Sequence, residues 1–240
     1  MQLKSFDKNG CPMFEFRKVD KDDSVLLREV YELRYKVYIE EWGFEKPEEH
    51  PGSVESDRFD ENSVHFVALR SDNGQLIGTI RIILISEHGF PIESHSVIDA
   101  DLSHIDRGKI GEISRLAVSK EYRRRATDSA IYGSAEFDEG NLQQIVDERR
   151  KNENLIVAGL YKSVYRESRA LGLEYFYAVM SKGLYLLLKR LGIRFEPVGP
   201  AIDYHGWRTP YVGNIEQMLR GLESCSPELY QDFMGGDDRN

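Results

Sequence analysis

"GEISRLAVSKEYRRR" (Gly111–Arg125) sets Glu112 and Arg115 inside an otherwise apolar strand-like run and follows it with Arg123, Arg124 and Arg125. Alternation along a regular strand sends these two charges to opposite faces, so each would need its own buried partner. A β-bulge would instead turn both toward one cleft, and bulges are favoured beside active sites. The residues alone leave both readings open. The arginine block reads either as a solvated turn or as a contact for an anion.

Around this stretch, hydrophobic periodicity lays out an alternation of strands and helices. "MFEFRKV" predicts a strand. Ser24 to Trp42 predicts a helix, with Leu26, Val30, Leu33 and Val37 on one face, N-cap chemistry at Asp22–Ser24 and a C-terminal stop at Gly43. "VHFVALR" and "LIGTIRIIL" predict a hairpin through "SDNG". Helices over Leu155–Leu171 and Lys182–Leu191, strands "YFYAVM" and "RFEPVG", a strand and turn in "HGWRTPYVG", and a helix near Ile215–Leu222 complete the order. That order predicts an α/β fold around one mixed sheet. The chain is expected to form a single domain over 1–240, with the polar stretch 127–154 as a mobile insertion.

Composition narrows the function classes. The 240 residues include 32 Lys and Arg against 41 Asp and Glu, a formal charge of −9, which argues against nucleic acid as a partner. Apolar residues make up 40%, and no run is long enough for a transmembrane segment. Cys11 and Cys225 lie far apart, and the six histidines show no ligand spacing, so no metal site is expected. The N-terminus lacks the apolar core of a signal peptide, and a cytoplasmic protein is the plain expectation.

Further charges stand in apolar or tightly bounded contexts. Arg34 lies on or beside the buried stripe of the first helix and needs a carboxylate partner. Arg81 interrupts "GTIRIIL", and Asp57 and Asp60 sit in the acidic loop before that hairpin. Buried pairs contribute little net stability, so this many charges point to a polar cleft.

In order and internal spacing, these residues resemble the acyl-homoserine-lactone autoinducer synthases, a branch of the GCN5-related N-acyltransferase (GNAT) superfamily. The likeness runs through Arg34, Tyr38 and Phe44 in "RYKVYIEEWGF", Asp57 and Asp60 in "ESDRFD", Arg81 in "GTIRI", and Glu112 and Arg115 in "EISRLAV". The branch usually has Phe and Trp where Tyr38 and Phe44 stand. That departure and the longer chain look more like two related groups, the long-chain N-acyl amino acid synthases and the bacterial exosortase/PEP-CTERM-associated acyltransferases. The resemblance implies a mostly antiparallel sheet whose two central strands, Glu112–Val118 and "YFYAVM", part to admit pantetheine.

The resemblance also implies a reaction, N-acyl transfer from an acyl-phosphopantetheine thioester to a small-molecule amine. The donor would be carried by acyl carrier protein or coenzyme A, with no tightly bound cofactor. Glu112 is expected to act as base or scaffold, and Arg115 with Arg81 as carboxylate contacts. Arg34, Tyr38, Phe44, Asp57 and Asp60 are expected to line the acceptor site. A backbone N–H near Leu116 to Val118 would hold the oxyanion. The turn after Val118 lacks the superfamily's glycines, which suits Arg123, Arg124 and Arg125 to an acidic carrier protein. Tyr161 and Tyr165 offer apolar surface for an acyl chain. Competing expectations are a lactone synthase using S-adenosylmethionine and a non-catalytic acyl-carrier or lipid sensor. Peripheral contact with the inner membrane is expected if the acyl product is long.

Overall fold

The computed structural model describes residues 2–6, 12–122, 139–203 and 206–235, with side chains in the long helix described from residue 152. Strands β1 (Gln2–Phe6), β2 (Pro12–Lys18), β3 (Ser63–Arg70), β4 (Leu76–Leu84), β5 (Ile110–Val118), β6 (Tyr175–Met180), β7 (Glu196–Pro197), β8 (Ile202–Asp203) and β9 (Trp207–Asn214) form a mixed sheet. Their order is β1-β2-β3-β4-β5-β6-β9-β7, with β8 on β9. Of the pairs with a described register, β5–β6 is parallel, and β1–β2, β2–β3, β6–β9, β7–β9 and β8–β9 are antiparallel. The mostly antiparallel α/β sheet expected from the sequence is therefore present. The chain divides into two compact units, one of 1–57, 65–81 and 115–164, the other of 58–64, 82–114 and 165–240.

In the first unit, helix α1 (Ser24–Tyr35) starts as its sequence predicts, with the Asp23 carboxylate accepting the Leu26 N–H at 3.0 Å. Leu26 and Val30 pack on Val67 and Leu69 of β3. Phe16 of β2 pairs in register with Ala68 and so faces the other way. There it meets Gly159 of the long helix α3 (Glu139–Ala170), where an added Cβ would lie 2.3 Å from the ring. The two helices thus cover opposite faces of this unit's strands. The described part of the expected insertion, 139–154, is helix continuous with 155–170, as its run of Gln, Glu, Arg and Lys favours.

The predicted first helix does not run unbroken to Trp42. A π-helical turn spans Lys36–Glu41 and buries Val37 and Ile39, a spacing of two that an α-helix would split between faces. Gly43, at φ 61°, then ends it, as expected of a C-terminal glycine.

In the second unit, helix α2 (Pro91–His95) buries Ile92 in a cluster with Phe90, Ile110 and Tyr177. The parallel β5–β6 register covers Ile110↔Tyr175, Gly111↔Phe176 and Glu112↔Tyr177 and ends there, although β5 runs on to Val118 and β6 to Met180. Helices α4 (Lys182–Arg190), α5 (Ile215–Cys225) and α6 (Pro227–Met234) complete this unit. No described helix is long and apolar enough to cross a membrane.

Candidate active site

The first unit gathers five of its charged side chains into one network. It begins at Arg34, which α1's apolar stripe carries below the surface. The following loop returns to it: the Glu55 N–H donates to the Tyr31 carbonyl at 3.0 Å, one helical turn before Arg34. Left-handed residues Gly52 and Ser53 precede this return, at φ 81° and 55°. Glu55 thereby reaches the Arg34 guanidinium and pairs with it, both being almost fully buried. Tyr31 adds its ring, 5.3 Å from the Arg34 guanidinium carbon.

The second Glu55 oxygen accepts from Arg115 Nε at 3.1 Å, and Arg115 Nη2 reaches Asp57 Oδ2 at 3.3 Å. Asp57 in turn takes a two-pronged contact from Arg81, at 2.9 and 2.7 Å. The order is Arg34–Glu55–Arg115–Asp57–Arg81. Arg115 can bridge two carboxylates because its backbone departs from regular strand geometry, with φ at 52°. For a residue with a Cβ this left-handed conformation costs about 1–2 kcal/mol, a cost that sites of chemistry commonly carry. The irregularity that the sequence left open lies at Arg115.

Exposure is uneven along the network. Arg34, Glu55 and Arg81 are sealed at 1%, 2% and 1%, whereas Arg115 and Asp57 are open at 23% and 25%. Burial alone would raise the Glu55 carboxyl, but Arg34 and Arg115 outweigh it and hold the pKa below the ordinary range. Tyr38 lies beside this open end, its ring 5.8 Å from the Arg115 guanidinium carbon. Its hydroxyl donates to the Leu116 carbonyl at 2.8 Å, and desolvation pushes its pKa up to about 12 against the pull of Arg115 and Arg34. The turn at Gly43 brings the Phe44 N–H to the Tyr38 carbonyl and stacks the Phe44 ring on Tyr38 at 6.1 Å.

Glu112 and Asp60 belong to the second unit. Glu112 is buried, and its Oε2 accepts the Ile92 N–H at 3.0 Å. Asp60 is buried at the start of a 3-10 turn, Asp60–Asn62. Val118 is buried, and Arg123, Arg124 and Arg125 lie outside the described residues. Tyr161 stands near Tyr38, with its hydroxyl pushed up to about 12 by burial. Tyr165 does not offer open surface: it is buried, with its ring 5.4 Å from Phe233. Among the described residues no cluster of three or more His, Cys, Asp or Glu is placed to hold a metal.

Glu55 escaped the sequence reading. Its one signal was indirect, the need of a buried Arg34 for a carboxylate. The acidic loop offers several, and nothing local separates Glu55 from exposed Glu48 and Glu49 or from Glu45, which pairs with His50.

Residues 33–133, which carry all five members of this network, match the acetyltransferase (GNAT) domain family. The match spans 101 of the 240 residues and supports an acyltransferase. Solved structures agree on the fold. TofI, in a complex with an inhibitor and MTA, superposes with a TM-score of 0.59 at 16% identity, covering 90% of this chain and 99% of that one. FeeM, an N-acyl amino acid synthase from uncultured soil microbes, gives 0.55 at 15%, covering 88% and 95%. BjaI, a CoA-dependent acyl-homoserine lactone synthase with SAM and isopentyl-CoA, gives 0.54 at 20%, covering 87% of each chain. No curated protein matches the sequence. The chain thus shares its fold with these synthases, as the residue pattern implied, and the domain match over 33–133 supports an acyltransferase.

Proposed function

We propose that this GNAT enzyme moves a fatty acyl group, long-chain in the reading we favour, from the phosphopantetheine thioester of acyl carrier protein to the amine of an amino acid or similar small molecule. The observation that carries the acceptor assignment is the uneven exposure of the network. Its sealed members fix the geometry, and Arg115 and Asp57 are left accessible. A guanidinium suits the acceptor's carboxylate and a carboxylate its ammonium. Tyr38 and Phe44 wall this end.

In the reaction the neutral amine attacks the thioester carbonyl carbon, the C–N bond forms, and the C–S bond breaks to release the thiolate. Glu112 takes the amine proton, directly or through water, and the thiolate is reprotonated from solvent. A backbone N–H near Leu116 to Val118 holds the oxyanion. Arg123, Arg124 and Arg125 contact the acidic carrier protein, and the enzyme works in the cytoplasm beside it. The PEP-CTERM-associated bacterial acyltransferases are the group whose residue pattern supports this reading.

A second reading is a lactone synthase using S-adenosylmethionine. It is favoured by the presence of SAM in BjaI and of MTA in TofI, whose fold this chain shares.

One assay separates these readings. Purified protein receives long-chain acyl carrier protein or acyl-CoA, the twenty amino acids and S-adenosylmethionine, and products are read by mass spectrometry. An N-acyl amino acid made by wild type, with Glu112→Gln slowed about 10²–10⁴-fold, is the expected result. A lactone would install the second reading. Carrier binding with no product from any acceptor would favour a sensor.

A further inference from the structure

Helix α4 lies in the second unit and buries none of its residues, although its sequence, "KGLYLLLKR", is rich in leucine. Tyr185 and Leu188 turn inward to intermediate exposure, with Tyr185 stacked on Tyr211 of β9 at 4.9 Å. Leu184, Leu186 and Leu187 remain open to solvent, Leu187 at 52%. Trp207, at the start of β9, is 71% exposed and shares with Lys182, Tyr185 and Leu186 the lining of a groove of about 370 Å³. Isolated exposed leucines need no explanation, but three on one nine-residue helix, with Leu186 sharing a groove with an exposed tryptophan, do.

Charge says what this surface fits. The chain as a whole carries −9, with 41 acids, yet Tyr175–Phe195 contains no Asp or Glu. It contains Lys182, Lys189, Arg190 and Arg194, all exposed. Arg208 adds a fifth cation, against Glu196 of β7 and Asp203 of β8, which pairs in register with Trp207. The patch is thus locally basic on an acidic protein. Leucines and an exposed tryptophan among lysines and arginines suit the headgroup boundary of an anionic bilayer, where long cationic stems reach phosphates while apolar side chains enter the acyl region. A protein partner fits less well, because lysine is depleted in protein interfaces.

We propose that α4 and Trp207 form a peripheral membrane contact that seats the second unit on an anionic lipid surface. Lys182, Lys189 and Arg190 meet headgroup phosphates, and Leu186, Leu187 and Trp207 enter the interface. The contact is reversible and salt-sensitive, since one short helix has little apolar area and its charges are screened. The contact stands on these residues alone and does not depend on the acyl-transfer reading.

The test is co-sedimentation of the full chain with phosphatidylcholine vesicles, with and without phosphatidylglycerol, at low and high salt. We expect binding to the anionic vesicles only, lost at high salt, with a blue shift in tryptophan emission that Trp207→Phe removes. Leu187→Glu and Lys189→Glu should each weaken binding about fivefold or more, with unchanged melting curves as the folding control. No binding to anionic vesicles at low salt would overturn the proposal. So would vesicle binding that these variants leave unchanged. Absence of vesicle binding, with capture of acyl carrier protein that the same variants abolish, would assign the surface to that protein instead. A self-association broken by Leu187→Glu, without vesicle binding, would assign it to a second copy of the chain.

Discussion

The Arg34 guanidinium and the Glu55 carboxylate form an ion pair sealed from water, between residues 21 apart in the chain. Each is costly to bury alone, so the pair is far more sensitive to loss of one member than its net contribution suggests. Glu55→Gln keeps the shape but removes the charge that Arg34 and Arg115 share. It should lower unfolding free energy by about 3–5 kcal/mol, read as a shifted urea midpoint with unchanged slope.

The same pair sets an acid limit. The Glu55 pKa is depressed in the folded state relative to its ordinary 4.5. Its contribution is therefore fully present above pH 4.5 and is lost as pH falls through the depressed folded value. Urea midpoints measured down the acid range should fall more steeply for wild type than for Glu55→Gln. Parallel curves would show that other carboxylates govern acid unfolding.

Arg115→Lys keeps the positive charge but cannot bridge Glu55 and Asp57 with a planar fork. A loss of about 10²-fold or more in kcat/KM is expected, by analogy with removal of one transition-state donor. Its partition between KM and kcat reports the role: a rise in KM alone marks acceptor binding.

Tyr38→Phe removes the 2.8 Å donor to the Leu116 carbonyl. Leaving that acceptor without its bond should cost about 1–3 kcal/mol in a thermal melt. Activity should fall as well, because the same ring flanks Arg115.

Gly221 stands inside helix α5, where alanine would ordinarily stabilise by about 1 kcal/mol. Here its added Cβ would lie 1.9 Å from the Gly192 carbonyl oxygen, and Gly192 itself sits at φ 88°. Gly221→Ala should therefore destabilise by about 1–3 kcal/mol, the opposite sign to its helix propensity. A raised melting temperature would contradict this packing.

Much of this was open to inspection before any coordinates. The Leu26–Val30–Leu33–Val37 stripe, the "SDNG" turn and the Gly43 stop all emerged as read, because periodicity and turn chemistry act over a few residues. Strand β1 and helices α2 and α6 went unread. They are short segments of five, five and eight residues, with too few repeats for a period to show. The π-turn at Lys36–Glu41 was hidden too, since its side chains fit a continuing α-helix until tertiary packing asks Val37 and Ile39 to share one interior.

At the site, local pattern was enough to mark which charges needed partners. Arg34, Arg81, Glu112 and Arg115 interrupt apolar patterns, and each is placed by a local period that a reader can count. Their partners were set by long-range chain packing. Arg34 took Glu55, Asp57 took Arg81 and Arg115, and Arg115 bent its own backbone to reach both carboxylates. The reason is physical. Burial of a side chain follows from its neighbours in sequence, but the choice of counter-ion depends on which backbone returns within about 3 Å of it, and chain closure over tens of residues leaves no local mark.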